Sequence, residues 1–159
     1  MITRILVAID HSDHSGRAAA FATELAIKFS ASLTFLHVLT QVLGREQLKR
    51  YLASLEAAAT PDPVQIANVR KELAGSGEAE GAELIGRAEA AARAAGAQSL
   101  ATLLLDGDAA TVILDQAHRG EHDVVVLGRR GMGSLKGLLT GSVSQKVASW
   151  GRGTVILVN

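Results

Sequence analysis

The chain has 159 residues, sixteen Lys and Arg against sixteen Asp and Glu, and no cysteine. That length suits one domain with a sizeable core. A formal charge of zero makes no whole-chain case for nucleic acid or a membrane surface, and the absence of thiols excludes disulfides, thiolate nucleophiles and cysteine metal sites. The opening Met1-Ile2-Thr3-Arg4 leads into an apolar run stopped at Asp10. That run is too short for a signal peptide, and no apolar stretch nears the roughly 20 residues of a membrane span, so the expected location is the cytoplasm.

Ile5 to Ile9 reads as a short buried strand. Ala18, Phe21, Ala22, Leu25 and Phe29 then recur at helical spacing, with Ser12, Asp13 and Ser15 as candidate N-caps. Leu33 to Leu39 is a second strand, and His37 within it reads as a core histidine with a hydrogen-bond partner. From Thr40 to Ala97 the chain is longer than one crossover helix needs, and Pro61-Asp62-Pro63 and Gly75-Ser76-Gly77 punctuate it. The pattern predicts helices over Arg45 to Ala59, Val64 to Leu73 and Ala79 to Ala94, the last rich in alanine. They read as helical cover for the core, with a partner-binding elaboration as the other reading.

Leu100 to Leu105 is the third strand. Ala110, Ile113 and Ala117 mark a helix that Asp108 can cap, while His118 and His122 read as exposed loop residues. Val124 to Leu127 is the fourth strand, an amphipathic helix with Val143, Val147 and Trp150 on one face follows, and Val155 to Val158 is the fifth strand. Near-continuous apolar strands suit a parallel sheet covered on both faces. Their alternation with helices predicts right-handed crossovers and an open α/β sheet, one domain over residues 1–159. Such sheets bind ligands at the carboxyl ends of strands, where the strand order reverses. Asp10, Val38 and Gly128 stand at such ends.

The fourth strand runs into Gly128-x2-Gly131-x9-Gly141-Ser142, which opens onto a helix. Glycines let backbone N–H groups approach an anion closely, and the unpaired donors and dipole of a helix start favour negative charge. After Asp123 there is no Asp or Glu, while Arg129, Arg130, Lys136, Lys146 and Arg152 all occur. The stretch is either a basic surface or a field that draws phosphate.

This glycine spacing resembles the ATP-binding signature of the universal stress protein family. Ile5-Leu6-Val7-Ala8-Ile9-Asp10 is similar to that family's first strand and terminal aspartate, Val38 to the valine closing its second strand, and Gly107-Asp108-Ala109 to a turn before a later helix. Gly141 to Val147 is close to the family's usual wording. The resemblance implies a Rossmann-like open five-stranded parallel sheet with helices on both faces, of the adenine nucleotide alpha hydrolase type, and ATP or AMP as ligand, with Mg accompanying it. It implies that Asp10 holds the adenosine end, that Ala8 and Val38 line the adenine pocket, and that Leu127 and Gly128 lie beside ribose and base. Gly131 would approach sugar and phosphates, with Arg130 nearby, and Gly141, Ser142, Val143 and Ser144 would bind phosphate. It also implies a homodimer through the edge strand Val155 to Val158. Two departures stand out: Gly151-Arg152-Gly153-Thr154-Val155 lacks the proline common before the last strand, and His11 sits where small residues are usual.

The residues themselves leave other readings open. Asp10 can be a capping turn, and Ser142 and Ser144 can be N-caps. Lys136 is followed by Gly137, so no Walker loop is present. His11-Ser12-Asp13-His14 resembles, imperfectly, the His-x-Gly-His motif of nucleotidylyltransferases, with Asp13 in place of glycine. The segment reads as helix-start surface, as a metal pair without a third ligand, or as the seat of nucleotidyl transfer or slow ATP hydrolysis. The absence of a Walker loop and the imperfect histidine motif favour a binding protein over an enzyme, and the resemblance implies an ATP- or AMP-dependent regulator of the stress response, whose Gly128 to Ser144 loop is expected to order on binding and change what an unidentified protein partner meets.

Overall fold

The structure of the chain, a computed structural model, describes residues 1–39, 43–58, 60, 62–131 and 140–159. In chain order the elements are β1 (Arg4–Ala8), α1 (Asp13–Phe29), β2 (Ser32–Leu39), α2 (Leu43–Glu56), α3 (Pro63–Ala94), β3 (Leu100–Asp106), α4 (Ala109–Arg119), β4 (Val124–Gly128), α5 (Ser142–Trp150) and β5 (Thr154–Val158). The five strands pair in parallel in the order β3-β2-β1-β4-β5. The open parallel α/β sheet expected from the apolar runs is therefore present. The order reverses between β1 and β4, so the switch point lies where Ala8 pairs with Leu127.

Alternate side chains of the central strands feed two cores. Ile5, Val7, Leu33, Phe35, Val124 and Val126 pack with α1 and α3 residues such as Ala18, Ala22 and Ile85 on one face. Leu6, Leu36, Val125 and Leu127 pack with Ala110 and Ile113 of α4 and Val147 of α5 on the other. Aromatics are 3% of the chain, so close approach of alanine-faced helices does the filling. That choice displaces the large residues: the buried stripe of α1 is Ala18, Ala22 and Ala26, while Phe21 and Phe29 of the predicted apolar stripe are 38% and 46% exposed. Trp150, predicted on the buried face of α5, is 69% exposed and is the last residue of the helix before its C-cap Gly151.

The second and third predicted helices are one. α3 runs without interruption through Gly75-Ser76-Gly77. An interior glycine costs a helix about 1 kcal/mol, and two such costs are outweighed by burial of Val69, Ile85 and Ala92 along the same helix. It starts at Pro63, one residue before the predicted Val64: Pro63 lies in the first turn, and Asp62 accepts from the Val64 and Gln65 amides. Thr40 and Ala59 of the predicted stretch lie outside the described residues.

His122 is not an exposed loop residue. It is half-buried, with Nδ1 3.2 Å from Gln116 O and Nε2 3.3 Å from Thr34 Oγ1, and burial holds its pKa below the ordinary 6.5. Its neutral form thus favours the fold above that value and loses this advantage as the pH falls through the lowered one. His118 is exposed, on the last turn of α4.

Asp123 ties the amino terminus to the strand starts. Its Oδ2 accepts from Thr3 N (2.7 Å), Thr3 Oγ1 (2.9 Å) and Arg4 N (3.0 Å). These bonds, the Thr3 amide first, hold its carboxyl at about 2, below the ordinary 3.8. A depressed pKa means that the stabilisation is complete above the ordinary value and is lost as the pH drops through the lowered one. Thermal midpoints of the wild type and Asp123→Asn should therefore differ most at neutral pH and converge toward pH 2. A gap that is the same at both ends would contradict this linkage.

Candidate functional site

Between β1 and α1 the chain makes a tight polar turn. Ile9 is buried, and its N–H continues the ladder by donating to Leu36 O at 2.8 Å. The Asp10 amide donates to Ser15 Oγ at 2.7 Å, and Asp10 Oδ1 accepts from Ser12 N at 2.9 Å and from the Ser12 hydroxyl. Ser12 is the N-cap of α1, its Oγ accepting from Ser15 N at 3.2 Å. Asp10 is thus both a capping-turn residue and a carboxylate of fixed orientation. The other oxygen, Oδ2, is the atom that a Cβ on Gly131 would meet, at 2.6 Å. The two residues lie 121 positions apart in sequence (131 − 10) and are brought together at the switch point.

Gly128, the last residue of β4, has a packing reason of its own. A Cβ there would meet His14 C at 2.8 Å, His14 Cβ at 2.9 Å and Ser15 N at 2.9 Å, so the first turn of α1 lies directly on it. Beyond it Arg129 N donates to Val158 O at 2.7 Å and Gly141 N donates to Arg129 O at 2.9 Å. The Ser144 hydroxyl lies 2.8 Å from Arg129 O and 3.0 Å from Gly141 O and donates to these carbonyls. Both ends of the glycine loop are therefore stapled together. Lys136 and Gly137, in residues 132–139, lie outside the described residues.

The start of α5 differs from the starts of α1, α3 and α4. Ser12, Asp62 and Asp108 each cap a helix through a side chain, whereas Gly141, the N-cap of α5, makes no such bond. Ser142 and Val143 are exposed and half-buried, respectively, and Ser144 is buried. The Ser144 hydroxyl hydrogen is spent on the protein, which leaves its amide for any ligand. Ala8 and Val38 both belong to the α4–α5 core, Val38 being 8% exposed. Leu127 is buried in the same core. At the head of the loop the Nε atoms of Arg129 and Arg130 are buried without a hydrogen-bond partner, as is His14 Nδ1. Arg129 and the residues that α3 brings to the β1–α1 turn were not legible as site features in the sequence; Arg129 stood beside Arg130 as one more basic residue.

A separate cavity of about 170 Å³ opens between α1 and α3, floored by Ile9, Ala19 and Leu84 with Asp10, His11 and Arg87 at its rim. It shares only Asp10 with the predicted binding set. His11 and His14 of the four-residue segment rest on different neighbours: the His11 ring meets His37 edge-on, with centroids 5.9 Å apart, and His14 packs at Gly128. Among the described residues no three His, Asp or Glu side chains group closely enough to hold a metal ion.

Comparison with known proteins gives one consistent pattern. The family model described as "Universal stress protein family" matches residues 1–159. Universal stress protein YxiE of Bacillus subtilis (strain 168) is 32% identical over 158 residues, 99% of each chain. A Thermus aquaticus protein, "Universal stress protein in QAH/OAS sulfhydrylase 3'region", is 35% identical over 158 residues, again 99% of each. Among solved structures, universal stress protein UspA from Lactobacillus plantarum superposes with a TM-score of 0.76 at 24% identity, covering 99% of this chain and 97% of that one. A universal stress protein in complex with cAMP gives 0.63 at 22% identity, covering 99% and 97%. The Archaeoglobus fulgidus universal stress protein in complex with dAMP gives 0.60 at 21%, covering both chains fully (100%).

Proposed function

Because the chain belongs to the universal stress protein family, we propose that it binds an adenine nucleotide, ATP or AMP, across the carboxyl ends of β1 and β4 and works as a ligand-dependent regulator in the stress response. The observation that carries this reading is the meeting of the fixed Asp10 carboxylate with Gly131 beside a helix start that no side chain caps. The amides of Ser142, Val143 and Ser144 then serve the phosphates, with Gly141 giving close approach. Arg129 and Arg130 Nε, buried without partners, are charged donors suited to phosphate oxygens. Asp10 takes ribose hydroxyls or the base amino group near Gly128 and Gly131, and Ala8, Val38 and Leu127 give the base an apolar wall. Two relatives of this fold are described in complex with cAMP and dAMP, which supports an adenine ligand. Mg would accompany the phosphate oxygens of the nucleotide as their counter-ion.

The regulatory step is the ordering of the loop between Gly128 and Ser144, whose ends are already stapled, so that a partner meets a changed surface. No helix of the described residues is long and apolar enough to cross a membrane, and we assign the protein to the cytoplasm. We assign a homodimer to the β5 edge. Among the described residues β5 pairs on one side only, with β4, and Ile156 and Val158 face the α1 core while Val155 and Leu157 face the α5 core. An unpaired apolar edge invites a second strand, and sedimentation should give twice the mass of the chain.

Charge-assisted hydrogen bonds contribute about 1.5–3 kcal/mol each, and a helix start adds about 0.3–1 kcal/mol. After ordering costs, several of them give a roughly micromolar Kd. Titration calorimetry with ATP and AMP should read that affinity, and the amides of Ser142 to Ser144 should exchange hydrogen more slowly with ligand bound. Absence of binding, or unchanged exchange at those three amides, would refute the reading.

A further inference from the structure

We infer that His37 is a positioning residue for the nucleotide site, holding the β1–α1 turn in the shape that presents Asp10. This rests on the nucleotide reading above. His37 lies in β2, is only 9% exposed, and has Nδ1 2.8 Å from Ile9 O. A carbonyl only accepts, so Nδ1 carries the proton. The Ile9 amide is tied to Leu36 O. Both peptide groups of Ile9 are therefore anchored to β2, one residue beyond the end of β1, and the next residue is Asp10. Ile9 is itself 5% exposed, so without the imidazole its carbonyl would be left buried without this donor, a costly state that the turn would relieve by moving.

Two further elements close on the same ring. The His11 ring meets it edge-on at 5.9 Å and an interplanar angle of 74°. From α3, Gly81 leaves the space the imidazole occupies, for a Cβ there would stand 2.8 Å from His37 Cδ2 and 2.8 Å from Leu104 Cδ1. The ring thus joins the turn that carries Asp10, the strand that carries Val38 and the long helix over the core. A histidine serving only as filler would need none of this directionality.

Asparagine and leucine separate the two roles, being close in shape while only asparagine carries an amide N–H near the place of Nδ1. His37→Asn should keep ATP affinity within about threefold of wild type. His37→Leu should lose about tenfold, the worth of one buried hydrogen bond, and should also lower the thermal midpoint, so affinity is read well below that midpoint, where circular dichroism shows the variant folded. The Asp10 and Ser12 amide resonances should shift in the leucine variant and stay near their wild-type positions in the asparagine variant. Equal ATP affinity in wild type and His37→Leu, or equal loss in both variants, would overturn the inference alone. Failure of the wild type to bind ATP would overturn the nucleotide reading and this inference with it.

Discussion

Gly128→Ala should destabilise the protein by roughly 1 kcal/mol, lowering the thermal midpoint by about 2–4 °C for a chain of this size. Two opposed effects set the sign. Alanine in a strand gains about 0.5–1 kcal/mol over glycine from lower chain entropy. Against this, its Cβ would sit 2.8–2.9 Å from His14 C, His14 Cβ and Ser15 N. Two of these three atoms are main chain, in the first turn of a helix whose cap is already fixed by Ser12, so neither partner can swing away. Overpacking against such a neighbour costs about 1–3 kcal/mol, which exceeds the entropic gain. Gly86→Ala is the internal comparison. It lies inside α3 with nothing within 4 Å of the added atom, so helix propensity acts alone there, and the substitution should stabilise by about 0.5–1 kcal/mol. Chemical denaturation of both variants checks the pair. A Gly128→Ala protein as stable as wild type would mean that α1 does not rest on β4 in this way.

That packing marks the limit of what local sequence could reveal. The strands were legible because their burial on two faces leaves near-continuous apolar runs, and Asp108 was legible as a cap because its mechanism is local. Gly128 was legible as a loop glycine, yet its packing under His14 depends on a residue 114 positions away (128 − 14), which no local pattern carries. The unbroken α3 failed for the converse reason: Gly75 and Gly77 are a true local signal against helix, outweighed by tertiary burial of Val69, Ile85 and Ala92. Phe21, Phe29 and Trp150 misled because hydrophobicity does not say which of two apolar neighbours reaches the core. Small alanines win where helix and sheet approach closely. In the site, the Asp10 turn was readable in type, whereas its aim at Gly131 and its tether to His37 were not.

Gly131→Val is where that aim can be measured, through ATP affinity rather than stability. The backbone at Gly131 does not adopt the left-handed φ that favours glycine, so conformational freedom does not explain the residue; space does. The first atom a Cβ meets is Asp10 Oδ2 at 2.6 Å. Asp10 cannot turn aside cheaply, since Oδ1 is held by the Ser12 amide and hydroxyl and its own N–H is held by Ser15 Oγ. Valine must therefore push the loop outward or break the turn, and either movement separates the carboxylate from the close-approach position that a sugar or phosphate would use. Loss of hydrogen bonds to charged groups, at about 1.5–3 kcal/mol each, corresponds to a fall in affinity of roughly 10-fold or more for one such bond and 100-fold or more for two. Gly131 is half-exposed, so the folded population should persist by circular dichroism while calorimetry loses the ATP signal. Asp10→Asn separates charge from shape, because it keeps an acceptor for the Ser12 amide and removes only the ion. If that variant binds ATP normally while Gly131→Val does not, the glycine acts by giving room to the ligand. If both fail, the carboxylate is itself part of the grip. A folded Gly131→Val protein that binds ATP undiminished would show that the nucleotide, if it binds, does not pass between Asp10 and the glycine loop.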